Sequence, residues 1–308
     1  MHRNQDFRHL GFRRVIHACI RSGESHRPTK RIAQSAKALF ARCGFFNQEL
    51  YDLRVSAVRP TDTFVASYPK SGNTWLRFII ANLMTEDVEV TFRNIDRFVP
   101  EPDFATYSLD DVRGSRIIKS HWPYFPVFPR FIYVVRDPRD VVVSHYHFSV
   151  KHAWFRGPIE EFVGSRQRFG DWGTHVRGAL NELLHRPSDV LMLRYEDMLD
   201  DPHRAVEKVA SFLHLQPSPE TVERVVGLTT FKTLKKNERL HGGMFSAADG
   251  GFFRSGRTGQ WQTEVPDSVV RALEEKYGEL MKRCGYPVGC AKCEARVPEA
   301  VRLPADVQ

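Results

Sequence analysis

The chain has 308 residues, 42% of them hydrophobic and 27% charged, with a formal net charge of +8 and five cysteines. Such a chain has room for one large domain or two small ones, and no apolar run is long enough to span a bilayer. Five cysteines are too few for a disulfide scaffold, and their odd number points to a reducing, cytoplasmic setting. The charge is uneven: residues 1–45 carry 10 Lys/Arg against two acids, and the rest of the chain balances 35 against 35. A basic arm on a neutral body argues against nucleic acid as the partner of the body.

The opening MHRNQDFRHLGFRR has no apolar core of the secretory kind. Residues 28–43 predict an amphipathic helix, with Ile32, Ala36, Leu39, Phe40 and Cys43 on one face and Lys30, Arg31, Lys37 and Arg42 around the rest. It packs on the body or makes weak contact with a membrane surface. The expected parse is a basic arm over 1–55, one domain over 56–286 and a peripheral tail over 287–308.

A short buried strand is predicted at 63–68. Pro69, Lys70, Ser71 and Gly72 break the apolar run. Trp75, Leu76, Ile79, Ile80 and Leu83 then recur at helical spacing. Strand, tight polar loop and helix start together suit an anion site, because backbone N–H groups gather at the positive end of the helix; the alternative is a helix cap beside an exposed lysine. Residues 86–108 read as a long connection. A second strand covers 116–119 and ends at Ser120-His121-Trp122-Pro123. RFIYVV, 130–135, is the clearest buried strand and runs directly into Arg136-Asp137-Pro138 and a helix. Helices are expected over 158–170 and 173–186, a fourth strand over 190–193, and helices over 202–213, 218–226 and 266–284. The glycine-rich stretch 235–262 reads as one long mobile loop.

Short buried strands alternating with helices predict an α/β fold: a three-layer, mostly parallel sheet with helices on both faces. Sites of such sheets lie beyond the carboxyl ends of the strands, where Lys70, Lys119–His121, Arg136 and Arg194-Tyr195 all fall. Lys70 precedes Gly72 and no glycine-rich lead-in exists, so the loop is not a Walker A. Arg136 can grip a phosphate through two donors, or form a local ion pair with Asp137. Together with the loops, His121 suits a general base for an acceptor hydroxyl, with Lys119 and Lys70 neutralising developing charge; alone, it reads as a surface histidine beside a lysine. Cys290 and Cys293, with Cys284, lack a fourth ligand for zinc, and no metal is expected.

These residues carry a resemblance. Tyr68-Pro69-Lys70-Ser71-Gly72-Asn73-Thr74-Trp75 resembles the 5′-phosphosulfate loop of the cytosolic-type sulfotransferases, usually YPKSGTTW. Tyr133 to Asp140 with Ser144 resembles their 3′-phosphate segment, and Lys119-Ser120-His121 their Lys-x-His. Leu193 to Met198 and Phe253 to Trp261 are similar to two later family segments. The resemblance implies a P-loop-kinase-like fold using 3′-phosphoadenosine 5′-phosphosulfate, PAPS, and releasing PAP. It implies that Lys70, Ser71, Gly72, Asn73, Thr74 and Trp75 hold the 5′-phosphosulfate. Arg136, Ser144, Arg254, Ser255 and Gly256 then hold the 3′-phosphate, and Trp75, Tyr195, Thr229 and Phe231 surround adenine. His121 becomes the base and Lys70 and Lys119 stabilise the transfer.

The sequence departs from the family at Asn73 for Thr, Ser255 for Lys and Gln260 for Asp. The family's short dimer segment is absent, which leaves the oligomeric state open. A small-molecule or glycan hydroxyl is the expected acceptor, with Phe92, Phe98, Tyr107, Trp122, Tyr124, Phe125, His147, Trp154 and Phe155 as candidate pocket residues. Two other readings stand beside this one: a nucleotide-dependent phosphotransferase, and a non-catalytic polyanion binder using the basic arm.

Overall fold

The structure, a computed structural model, describes residues 48–243 and 251–289. The helix expected over 28–43, the end of the tail, and Cys290 and Cys293 lie outside the described residues. The chain divides into two compact units. The smaller joins residues 48–58 to Thr106–Val112; it holds helix α1 (Gln48–Asp52), and its Ser56 N–H donates to the Asp110 carboxylate at 2.9 Å. The larger takes in Arg59–Ala105 and the described residues from Arg113 on.

The larger unit is built on four parallel strands, β1 (Thr63–Ser67), β2 (Ile117–Ser120), β3 (Arg130–Val135) and β4 (Val190–Arg194), in the order β2-β1-β3-β4. The twofold period of a strand divides their side chains between two faces. Val65, Ile132, Val134 and Leu193 share one core cluster with Leu76, Ile79 and Ile80 of α2 (Asn73–Met84), Val206 and Val209 of α7 (Pro202–Phe212) and Val222 and Val225 of α8 (Pro219–Leu228). On the other face Phe64 stacks on Phe128 at 4.0 Å and Phe131 meets Phe125 at 5.2 Å. Tyr133 there donates its hydroxyl to His175 of α5 (Trp172–His185), 2.8 Å away. The result is a parallel sheet with helices on both faces.

Capping residues fix where the helices begin. Asp137 accepts the Arg139 N–H ahead of α3 (Pro138–Lys151), and Asp201 does the same for α7. Asp171 caps α5 and Ser218 caps α8. Helix α4 (Ile159–Gly164) is shorter than the expected 158–170, and 165–170 is irregular chain that returns to the site. Helix α6 (Tyr195–Asp200) follows β4 without a break, and α10 (Trp261–Glu264) and α11 (Asp267–Arg283) close the described chain.

The loop expected over 235–262 is helical at its start. Helix α9 runs over Phe231–His241, capped by Thr230. Its polar run hides the pattern, because the inward position after Leu234 is Glu238, an acid that is buried by pairing its carboxylate with the N–H groups of Phe252 and Phe253. Among the described residues no helix is long and apolar enough to cross a membrane.

Candidate active site

Register brings the four strand ends to one edge. Ala66 pairs with Ser120, Ser67 with Val134 and Val135 with Arg194. The residues that follow, Tyr68, His121, Arg136 and Tyr195, therefore leave the sheet side by side. A cavity of about 640 Å³ opens there. Every residue singled out for the site lines it except Ser71: Lys70, Gly72, Asn73, Thr74, Trp75, Lys119, His121, Arg136, Ser144, Tyr195, Thr229, Phe231, Arg254, Ser255 and Gly256. Ser71 lies fully buried under the loop.

The loop between β1 and α2 turns through two left-handed residues, Lys70 at φ 69° and Gly72 at φ 104°. A Cβ on Gly72 would stand 2.7 Å from the Tyr195 ring, so only glycine brings the backbone this close. Asn73 braces the loop from beneath, donating to the Val65 carbonyl at 3.1 Å and the Ser67 hydroxyl at 3.2 Å. Its change from threonine thus supplies a bracket between strand and helix.

The Lys70 ammonium lies between two ring faces, 4.0 Å from the centre of Phe148 and 4.1 Å from that of Phe252. Burial, and then the neighbouring Arg136 charge, pull its pKa down to about 7. Arg136 is buried, with one nitrogen on the Lys70 carbonyl at 3.2 Å and another on the Arg257 carbonyl at 2.9 Å. Its guanidinium covers the Tyr195 ring at 4.3 Å. The Arg136–Asp137 ion pair does not form: Asp137 pairs with Arg139 at 2.6 Å, because the cap geometry turns the carboxylate back along its own helix.

His121 lies at the end of β2. Its Nδ1 is 2.8 Å from the Ser67 carbonyl oxygen, which can only accept, so Nδ1 carries the proton and Nε2 keeps its lone pair. The His121 carbonyl in turn accepts from His175 Nε2 at 3.1 Å. Burial, followed by the Lys119 charge, holds the His121 pKa well below 6.5. Lys119 is buried and ion-paired with Glu101.

The late loop is anchored by Asp140, a residue that sequence reasoning left as a motif letter. Its carboxylate accepts the N–H groups of Gly259 at 2.7 Å and Trp261 at 3.1 Å. Gln260, standing where the family has Asp, accepts from Arg254 and from Ser255, each at 2.8 Å. Gly256 has φ 64°, and a Cβ there would stand 2.2 Å from the Phe231 ring.

The candidate pocket residues divide. Trp154 and Phe155 line the cavity. Phe125 is core, and Phe92 and Phe98 pack against core clusters. His147 binds Glu264 at 2.7 Å, Trp122 and Tyr124 stack on each other beyond the cavity lining, and Tyr107 belongs to the smaller unit. The apolar wall is completed by Phe148, Phe162 and Phe169, which the sequence reading missed. Phe148 was findable, as it falls one helical turn after Ser144. Phe169 was not, because it sits in irregular chain.

An anionic nucleotide suits this cavity. Arg136 Nε and Trp75 Nε1, both on cavity-lining residues, are buried with no hydrogen-bond partner, as is the Ser71 hydroxyl beneath the loop. The donors are cationic or neutral; Ser71 and Trp75 sit at the start of the twelve-residue α2, and Arg136 just ahead of α3.

The sulfotransferase domain family matches residues 60–285. Sulfotransferase 1E1 of Mus musculus is 28% identical over 266 residues, covering 78% of this chain and 90% of that protein. Cytosolic sulfotransferase 17 of Arabidopsis thaliana is 31% identical over 265 residues, covering 74% of this chain and 76% of that one. The fold is similar to that of mouse sulfotransferase SULT7A1 complexed with PAP, at TM-score 0.58 and 22% identity over 77% of this chain and 89% of that one. It is also similar to retinol dehydratase in complex with androsterone and the inactive cofactor PAP, at TM-score 0.61 and 21% identity over 78% of this chain and 86% of that one. Matched over most of its length, the chain belongs to the sulfotransferase domain family and is a PAPS-dependent sulfotransferase.

Proposed function

We propose that the cavity carries a sulfuryl group from PAPS to the hydroxyl of a small apolar acceptor, with His121 as general base and Lys70 and Lys119 stabilising the transfer. One observation carries the reading. The Ser67 carbonyl fixes the His121 tautomer, leaving Nε2 free to take a proton in the same cavity as both lysines.

In this scheme His121 Nε2 removes the acceptor hydroxyl proton as the oxygen bonds to sulfur. The bond from sulfur to the 5′-phosphate oxygen breaks, and PAP leaves with the electron pair. Lys70 and the loop N–H groups take up the charge growing on that leaving oxygen, and Lys119 faces the group in flight. Arg136, Ser144, Arg254, Ser255 and Gly256 are assigned to the 3′-phosphate. Trp75, Tyr195, Thr229 and Phe231 are assigned to adenine, and 70–75 to the phosphosulfate. Phe148, Trp154, Phe155, Phe162 and Phe169 favour an apolar phenol or alcohol over a glycan, and a neighbouring fold with androsterone bound is consistent with that choice. The reaction suits a cytoplasmic setting.

The test is transfer of labelled sulfate from PAPS onto a panel of phenols, sterols, sugars and amines. We expect transfer to apolar hydroxyls, loss of it in His121→Ala, and unchanged PAP affinity in that variant. Full activity in His121→Ala removes the base from the scheme, and transfer confined to sugars or amines removes the acceptor class.

A further inference from the structure

Beside the site sits a buried acid to which none of the roles above is given. The Glu101 side chain is 6% exposed and lines the cavity. Its Oε1 takes the Lys119 ammonium, and its Oε2 lies 3.4 Å from Arg77 of α2. Arg77 is also held by Asp96 at 2.6 Å and by the Val99 carbonyl at 2.7 Å. The backbone adds two ties: Lys119 N–H donates to the Pro100 carbonyl at 2.9 Å, and Glu101 N–H donates to Asp96 at 3.0 Å. Helix α2, the chain over 95–101 and strand β2 are thus joined through one polar layer.

A lysine buried in such a place sheds its proton unless a negative charge faces it. The charged and titratable groups around Lys119 are Glu101, Arg77, Asp103 and His121. Arg77 and burial oppose the ammonium, while Glu101 and Asp103 favour it. Asp103 is partly exposed and engaged by Arg168 at 3.3 Å. Glu101 is the carboxylate in contact.

We propose that Glu101 is a positioning residue for the sulfuryl transfer: it holds the Lys119 ammonium at the strand end that carries His121 and keeps it protonated where charge builds. The proposal rests on the transfer reading above, since only there does Lys119 act. Fold maintenance alone does not require the carboxylate, because Arg77 keeps Asp96 and the Val99 carbonyl when Glu101 loses its charge.

The test compares full-length wild type with Glu101→Gln and Glu101→Asp. Trace acetic anhydride, applied from about pH 6 to about 11 and read by mass spectrometry of the Lys119 peptide, gives the pH at which Lys119 becomes half-reactive. In Glu101→Gln that pH falls by about one unit or more, a tenfold loss of proton affinity. In Glu101→Asp, with the charge on a shorter arm, it falls less in the same direction, and this variant carries the test if the Gln chain does not fold. PAP affinity by calorimetry stays within about twofold in both. With 2-naphthol as the acceptor probe, the alkaline limb of kcat moves down with the labelling profile while KM for PAPS holds. An unchanged Lys119 profile in Glu101→Gln overturns the proposal. A moved profile with unchanged turnover also overturns it, and places the fault in the transfer role of Lys119 rather than in its pairing with Glu101.

Discussion

His121 donates its Nδ1 proton to the carbonyl oxygen of Ser67 across 2.8 Å, linking the ends of two neighbouring parallel strands. The bond settles which nitrogen can act as a base, and enclosure settles when. His121 is held well below 6.5, and the nearby His145 and His175 at about 4, burial being the first cause for all three. A histidine lowered in this way is neutral in the fold and gains its proton more readily in the unfolded chain. Between pH 6.5 and 4 the unfolded state therefore binds more protons, and stability falls as pH falls through that window. We expect the acid limb of kcat/KM to lie well below pH 6.5. Thermal melts should show Tm declining from about pH 6.5 downward, less steeply in His121→Asn.

Burial lowers the Lys70 pKa in the same direction as those of these histidines. At a pKa of about 7 it is half-charged in the free protein at neutral pH, held between Phe148 and Phe252. An anionic nucleotide restores the charge. Binding of PAP at about pH 8 should therefore take up close to one proton, and at about pH 6 almost none, as read by calorimetry in buffers of different ionisation enthalpy. Because the folded pKa lies below the unfolded 10.5, the lysine destabilises the free fold at pH below 10.5, most fully below about 7. Lys70→Met should raise Tm at neutral pH, a gain on the order of 2 kcal/mol that fades in strong base, and weaken PAP about a hundredfold.

Gly256 should separate binding from folding. Alanine there meets the Phe231 ring in a backbone at φ 64°. The ring lines the cavity at the first residue of α9, so pushing it alters the proposed adenine contact. We expect Gly256→Ala to raise the Kd for PAP about tenfold at a stability cost of about 1 kcal/mol. Gly227, in α8 with open space around it, is the control: Gly227→Ala should raise Tm and leave PAP affinity unchanged.

The sheet was legible because each strand carries a short apolar run, clearest over 131–135, and a strand buried on both faces reads as a continuous run. Part of the cavity lining was legible because Lys70, His121, Arg136 and Tyr195 follow those strands directly, so naming the strand end names the position. The aromatic part was not. Phe162 and Phe169 reach the cavity from a short helix and irregular chain, where no period indicates direction. Glu238 hid the helical pattern of α9, since burying an acid depends on N–H partners more than ten residues away in the chain. Glu101 was invisible for the same reason: a carboxylate in a proline-flanked connection becomes meaningful only when the fold sets Lys119 against it.

Arg254 offers the last test, because it is engaged before any nucleotide arrives. One guanidinium nitrogen meets both oxygens of Glu264 at 3.1 Å, and another meets Gln260 at 2.8 Å. The ion pair is about one-third exposed, with side chains at 34% and 31%, so it contributes little to stability. If Arg254 grips the 3′-phosphate as proposed, Glu264 competes for it. Glu264→Gln should then tighten PAP severalfold, about three- to tenfold, with Tm nearly unchanged, and Arg254→Ala should weaken PAP about a hundredfold. In the double variant the gain from Glu264→Gln should vanish; a gain that persists there runs instead through His147, the other partner of this carboxylate. Isothermal calorimetry on the four proteins decides the matter. A weaker PAP affinity in Glu264→Gln reverses the relation: the carboxylate then aims Arg254 at the phosphate instead of competing for it.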